Sequence, residues 1–308
     1  RTSIKQGVAI NKVIILLVTC GTLLFTIMKF GIPDFRALNN DNVYSVRDEN
    51  ELTGIFAYIV NWFFSVAFPI TLVYGMKKGK KSNILLFCAF AMFLYLTYAH
   101  KTWFLSAFFV IAVYIVTKYN LFTMACCVGL PIMVSFCMLC YKISEKLLLV
   151  PSMFVRRLLI VPADIKFQYF DFFKEREKLH FSEGVFGKIF GIEYVYDKKI
   201  VYVIGEQMGT PNDACNTGYL ADAFANAGTM GVIVFALLLF VILKVLDIFL
   251  CQEDFVINFS VLSYSLYSLN DTALLTRLLT GGLALLIVVL ILNKRVKREQ
   301  ECSNVSTG

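Results

Sequence analysis

The sequence predicts an all-α polytopic membrane protein, and three observations predict it. Of the 308 residues, 58% are hydrophobic and only 17% are charged, where a soluble domain is usually about 45–50% apolar and about 25% charged. The mean hydropathy is +0.70. Apolar runs recur at the length that crosses a bilayer core, about 20 residues per helix. A β-barrel would instead show weak alternation over segments of about ten residues. The 29 Phe and 15 Tyr fit the same class, since aromatic side chains favour the bilayer interface.

By that length rule, about eight spans fall near 9–30, 53–76, 83–99, 104–118, 121–141, 229–250, 255–271 and 278–293. The first run is too long for a signal-peptide core and lacks a small-residue cleavage site, so it reads as a span. Residue 1 is Arg rather than Met, and the chain reads as one transmembrane domain over 1–308 that is N-terminally incomplete. The third and fourth spans are short and meet at His100-Lys101-Thr102-Trp103. A polar turn between short spans is expected to be recessed into the outer leaflet, where it must line a cavity because lipid satisfies no polar group.

Orientation follows from the basic residues of short connections. Arg1 and Lys5, the Lys77-Lys78-Gly79-Lys80-Lys81 loop, and the tail Lys294, Arg295, Lys297 and Arg298 all fall on one side of an eight-span chain. That side is expected to be the cytoplasm, which puts both termini inside. Three segments are then outside: 31–52, the His100 turn, and a large extracytoplasmic loop over 142–228. Of the nine cysteines, only Cys215 lies in that loop, so no disulfide framework is expected. Cys137 and Cys140 lie in an apolar run, where Cys packs as a small hydrophobe.

The long loop is rich in Phe, Tyr, Val and Ile, and loops beyond about 12–15 residues are usually functional or disordered. Pro151 to Glu177 reads as two short amphipathic segments broken at Pro162, with Asp164 as the N-cap of the second. In that second segment Ile165, Tyr169, Phe172 and Phe173 recur at helical spacing. They suit either the headgroup region or packing on neighbouring helices. Gly205 to Gly231 is a turn-rich polar loop that becomes helical from Tyr219 and reads as lining a site.

Several cations break the inside-positive pattern: Arg36, Arg47, Lys101, Arg156, Arg157 and Arg277 all fall on the outer side. An outer-side cation is a natural ligand for a lipid-linked phosphate, Arg through bidentate hydrogen bonds and Lys as a point charge. Arg36 and Arg47 sit among acids and are equally placed for weak surface pairs. Lys101 lies at membrane depth, where an ionisable group is functional by default.

Four stretches in order resemble the Wzy-type oligosaccharide repeat-unit polymerases that make bacterial O-antigen or capsule. They are VYSVRDEN followed by a span carrying AFPI, HKTWF between two short spans, VRRLLIVPADIKFQYFDFF, and TPNDACNTGYLADAFANAGTMG just before a span. His100 stands where the family commonly has Gly or Ser. The resemblance implies a multi-pass integral-membrane glycosyltransferase on the outer face of a bacterial cytoplasmic (inner) membrane. It would move a growing glycan from undecaprenyl pyrophosphate to a single lipid-linked repeat unit, releasing undecaprenyl pyrophosphate.

The resemblance implies no metal and no cofactor. The implied partners are the lipid-linked donor and acceptor, the bilayer, a chain-length regulator and a flippase, with no nucleic acid. A departing pyrophosphate gains negative charge, which Arg47, Lys101, Arg156 or Arg157, and Arg277 would meet. Tyr169, Asn216, Tyr219 and Asn226 are the expected glycan contacts. A base must take the acceptor hydroxyl's proton, and Asp171, Glu206, Asp213, Asp222, His100 and His180 are on the correct side. Asp171 among aromatics is expected to be desolvated, and His100 beside a like charge to stay neutral; these two lead. An O-antigen ligase remains an alternative. So does a flippase or transporter, although nearly charge-free spans with cations at one face favour interfacial chemistry.

Overall fold

A computed structural model describes residues 2–31, 33, 35–38, 43–50, 52, 54–143, 152–211, 213–250 and 255–292. Among the described residues all regular structure is helical. Four helices are long and apolar enough to cross a membrane, with the qualifying stretches Val13–Phe30, Ile55–Lys77, Phe122–Ile143 and Tyr219–Asp247. The apolar helices Ile84–Tyr98, Thr102–Lys118 and Leu283–Leu292 are shorter. A 15-residue helix is about 22 Å long, less than a bilayer core of about 30 Å. The expected span 255–271 is α-helical over Phe255–Tyr267 and continues as a 3-10 turn over Ser268–Asn270. The basic tail from Lys294 to Arg298, Arg1, and the acidic residues Asp34, Asp41 and Glu51 lie outside the described residues.

Three helical stretches carry an internal proline, and each widens to π geometry just before it. The π segments are Phe63–Ala67, Ala125–Gly129 and Ser152–Ile160; the prolines are Pro69, Pro131 and Pro162. Proline has no N–H and its ring crowds the carbonyl four residues back. Spacing the ladder to i→i+5 relieves both, as where the Phe68 N–H reaches the Phe63 carbonyl. Pro162 therefore does not divide the segment it was expected to break: the π turn runs straight into the helix Val161–Glu175. Asp164 lies in that helix's first turn rather than at its N-cap.

The chain divides into two compact units. The first holds residues 1–120, 245–266 and 277–308. In it α1 (Thr2–Phe30) and α4 (Lys81–Tyr98) pack on α3 (Ile55–Lys77), and α5 (Lys101–Lys118) packs on α4. Its centre is aromatic: Phe63, Phe64 and Phe68 are buried, with Phe63 against Phe90 and Phe64 stacked on Trp103, each at 4.7 Å. Buried Thr22 and Thr26 spend their hydroxyls on carbonyls one turn back, at 2.7 Å, which makes them tolerable in an apolar helix. Thr26 also bonds the Tyr98 hydroxyl at 2.9 Å, tying α1 to α4.

The second unit holds residues 121–244 and 267–276. Its core is the aromatic stripe of α7 (Val161–Glu175) packed on α9 (Ile200–Gln207) and the start of α10 (Tyr219–Leu250). Tyr169, Phe172 and Phe173 meet Ile200, Ile204, Ala221 and Ala225 there. That stripe accordingly faces the unit's own core. Helix α10 kinks at Ala227 and Gly228, and Gly228 adopts φ 59°, ψ −150°, a conformation almost confined to glycine. The Leu179 and His180 N–H groups donate to the Ala225 and Asn226 carbonyls beside the break, at 2.9 and 3.2 Å.

Two glycines separate backbone strain from steric fit. Gly282 has φ +77°, and a Cβ there would lie 2.8 Å from Trp62 Cδ1. Gly79 has φ +64° with nothing within 4 Å. Gly282→Ala is expected to destabilise by roughly 2–4 kcal/mol, combining left-handed strain with overpacking. Gly79→Ala should cost only roughly 1 kcal/mol. Thermal unfolding of the two purified variants in detergent distinguishes them, and equal losses would contradict the packing role of Gly282.

Candidate functional site

Two groups of polar residues stand out in the first unit. The first surrounds the turn between α4 and α5. Ala99 closes α4 in a left-handed conformation, φ 55°, and its buried methyl packs with Ala37 and Val46. Those two come from the short segments Phe35–Leu38 and α2 (Val43–Glu49), which lie over the end of α4. Asn50 Nδ2 donates to the Thr97 carbonyl at 2.8 Å and the Tyr95 hydroxyl to the Ala37 carbonyl at 2.9 Å, so the orphan carbonyls of a helix end are partly met. Arg36 pairs with Glu49 at 2.9 Å on the exposed rim. Phe30, Arg36, Glu49, Asn50 and Thr97 line a cleft of about 490 Å³ at this place.

This packing brings Arg47 to His100. His100 is half-buried, its ring 4.6 Å from Trp103. Burial first, and the Arg47 charge second, pull its pKa from 6.5 to about 4. Desolvation and Arg47 thus act in the direction of the expected neutral imidazole. The side chain of Lys101 lies outside the described residues.

The second group is centred on Arg277. Its side chain is only 6% exposed. One Nη donates to Ser65 Oγ at 3.1 Å and to Ser265 Oγ at 2.9 Å, and the guanidinium lies 5.3 Å from the Tyr264 ring centre. Its Nε is buried without a partner, and among the described residues no carboxylate pairs with it. Ser65 sits inside the π segment Phe63–Ala67. Its carbonyl is the one Pro69 cannot serve, which marks Ser65 as the residue the sequence reading missed and the proline as the signal for it. Close by, Trp62 Nε1 donates to the Leu279 carbonyl at 3.0 Å.

A buried cation held by two hydroxyls, with its Nε–H unspent, is costly: leaving a charge desolvated without a counterion costs several kcal/mol. Arg156 and Arg157 are both exposed.

In the second unit the expected glycan contacts separate. Tyr169 is 2% exposed and its hydroxyl donates to the Cys215 carbonyl at 3.1 Å; its ring is core and is not available to a sugar. Asn226 is buried and fully used: Oδ1 accepts from the Phe181 N–H at 2.8 Å, and Nδ2 donates to Asp222 at 2.9 and 3.2 Å. It braces the kink of α10. Asn216 is exposed and Tyr219 half-buried. Asp171 is exposed, because Phe172 and Phe173 turn inward and leave its carboxylate at the surface.

Comparison with protein families, curated proteins and solved structures finds no match for this chain.

The depressed His100 pKa has a signed consequence. Between pH 6.5 and about 4 the unfolded state binds a proton that the folded state refuses, so stability is fully present above pH 6.5 and falls as pH drops toward 4. In detergent, the unfolding temperature should fall over that window, and His100→Gln should flatten the fall. An unchanged pH dependence in the variant would remove His100 as its source.

Proposed function

We propose that the chain is a membrane glycosyltransferase of the repeat-unit polymerase type, with eight spans and both termini in the cytoplasm. Its substrate is an undecaprenyl-pyrophosphate-linked glycan presented at the outer face of the membrane. The acceptor hydroxyl of a single lipid-linked unit attacks the anomeric carbon of the growing chain. The bond from that carbon to pyrophosphate oxygen breaks, and the electron pair leaves with the pyrophosphate.

The observation that carries this reading is the buried Arg277, without a counterion among the described residues and with its Nε unspent. A guanidinium pre-oriented by Ser65 and Ser265 is complementary to charge developing on a leaving phosphate, without reorganisation at the moment of reaction. His100 takes the acceptor proton. Its imidazole is unprotonated at neutral pH, and an arriving pyrophosphate offsets the Arg47 charge and raises its basicity. Arg47 binds the same anion, and Lys101, one residue from His100, is a further phosphate ligand. The exposed Arg156 and Arg157 attract the anionic donor at longer range.

Arg277→Gln tests the reading, because a structural and a functional arginine predict opposite stabilities. Removing an unpaired buried charge should leave the unfolding temperature equal or higher. Polymer synthesis should nonetheless fall by about 10²-fold, as when one preorganised charge donor is lost. Surface-polymer length is read on gels alongside membrane protein level. Full-length polymer at normal protein level would overturn the proposal. In a deletion strain, single units should accumulate in the outer leaflet, and inner-leaflet accumulation would mark a flippase instead.

A further inference from the structure

The outward stripe of α7 forms a groove of about 530 Å³ in the second unit, lined by Phe167, Gln168, Phe170, Asp171, Lys174 and Phe224. The spacing 167, 170–171, 174 is one face of a helix, opposite the stripe that Tyr169, Phe172 and Phe173 bury. Phe224, from the start of α10, closes the far wall: its ring lies 4.7 Å from that of Phe170, and Lys178 Nζ sits 4.3 Å from its centre. Phe167 is 72% exposed, so core packing does not account for it.

The polar groups are equally unaccounted for. Among the described residues the side chains of Gln168, Asp171 and Lys174 have no hydrogen-bond or ion-pair partner. Asp171 and Lys174 stand three apart on one helix, where opposite charges ordinarily meet. We infer that this groove is a carbohydrate subsite, a reading that rests on the proposed polymerase function for its ligand being the repeat-unit glycan. Aromatic rings take the apolar C–H faces of a pyranose. A carboxylate, an amide and an ammonium, all unspent, supply the acceptors and donors its hydroxyls require. The alternatives fit worse. Acyl chains would desolvate three polar side chains without compensation, and an anionic headgroup would meet the Asp171 carboxylate.

The test uses the full chain in detergent micelles and four probes: chitobiose, cellobiose, maltose and digalacturonic acid. At least one should receive saturation transfer from the protein's aromatic protons in NMR. Asp171→Ala and Gln168→Ala should each weaken that binding by roughly tenfold, the loss of a hydrogen bond to a fixed group. Neither variant should shift the unfolding temperature, since Asp171 is exposed and both side chains are unbonded. Absence of binding by all four, or unchanged binding in both variants, overturns the subsite. So does quenching of a Phe167→Trp variant by brominated lipid in nanodiscs, which would place the groove against acyl chains. Sugar binding that Asp171→Ala abolishes, in a protein whose gene deletion leaves surface polysaccharide unchanged, keeps the subsite and removes the polymerase reading. Failed binding with Arg277→Gln still blocking polymer does the reverse.

Discussion

One missing hydrogen atom organises the first unit. Pro69 has no N–H to offer the Ser65 carbonyl, and α3 widens over Phe63–Ala67 to accommodate it. The widened turn presents Phe63 and Phe64 to the aromatic centre of the unit and Ser65 to Arg277. Trp103 stacks on Phe64, and His100 leans on Trp103. The histidine turn and the buried arginine therefore share a single support. π turns occur often at functional sites, and here the reason is mechanical: the extra residue per turn re-aims neighbouring side chains without ending the helix.

Magnitudes separate the cations. Two unit charges 4 Å apart interact by about 1 kcal/mol in water and about 4 kcal/mol at an effective dielectric near 20. Arg156 and Arg157 are exposed and work in the first regime, where pairs contribute little and salt screens them. Arg277 is buried, its hydrogen-bond partners among the described residues are neutral, and it works nearer the second. Arg36 spends part of its charge on Glu49 at the exposed rim. Position in sequence treats these arginines alike; burial and partners do not.

Much of the helical layout was legible from apolar run length, because crossing or filling an apolar layer demands consecutive apolar residues whatever the packing. The turn at His100 was legible for the same reason: two short runs with a polar break can be joined in few ways. Span count was less legible, since Ile84–Tyr98, Thr102–Lys118 and Leu283–Leu292 are helical and apolar yet shorter than the four long ones. What failed was direction. Tyr169 and Asn226 have the side chains of sugar ligands, but the first lies on the stripe that α7 buries and the second braces a break in α10 that Gly228 permits. Residue type names the chemistry a side chain is able to do; periodicity decides whether it faces anything. Applying the same period to Phe167, Phe170, Asp171 and Lys174 picks out the exposed face. The π turns were legible in principle, each two residues before an internal proline, but only once proline is read as widening a helix rather than ending it.

The unliganded fold holds Arg277 in an unfavourable electrostatic state and disfavours the charged form of His100. Among the described residues Arg277 has no counterion, and His100 is pushed away from its charged form by burial and by Arg47. An anion with affinity for guanidinium relieves the first directly. An anion near Arg47 lessens the second by offsetting the charge that opposes protonation. Ligand that binds only the folded state stabilises that state by mass action, so the strain at Arg277 is recovered as binding free energy. A site arranged this way has weak complementarity for a neutral glycan alone. On the proposed function, it gains most when a phosphate carries negative charge and a proton must leave the acceptor, the moment at which a glycosyl pyrophosphate breaks. Complementarity to that charged state, rather than to the resting substrate, is what lowers a barrier.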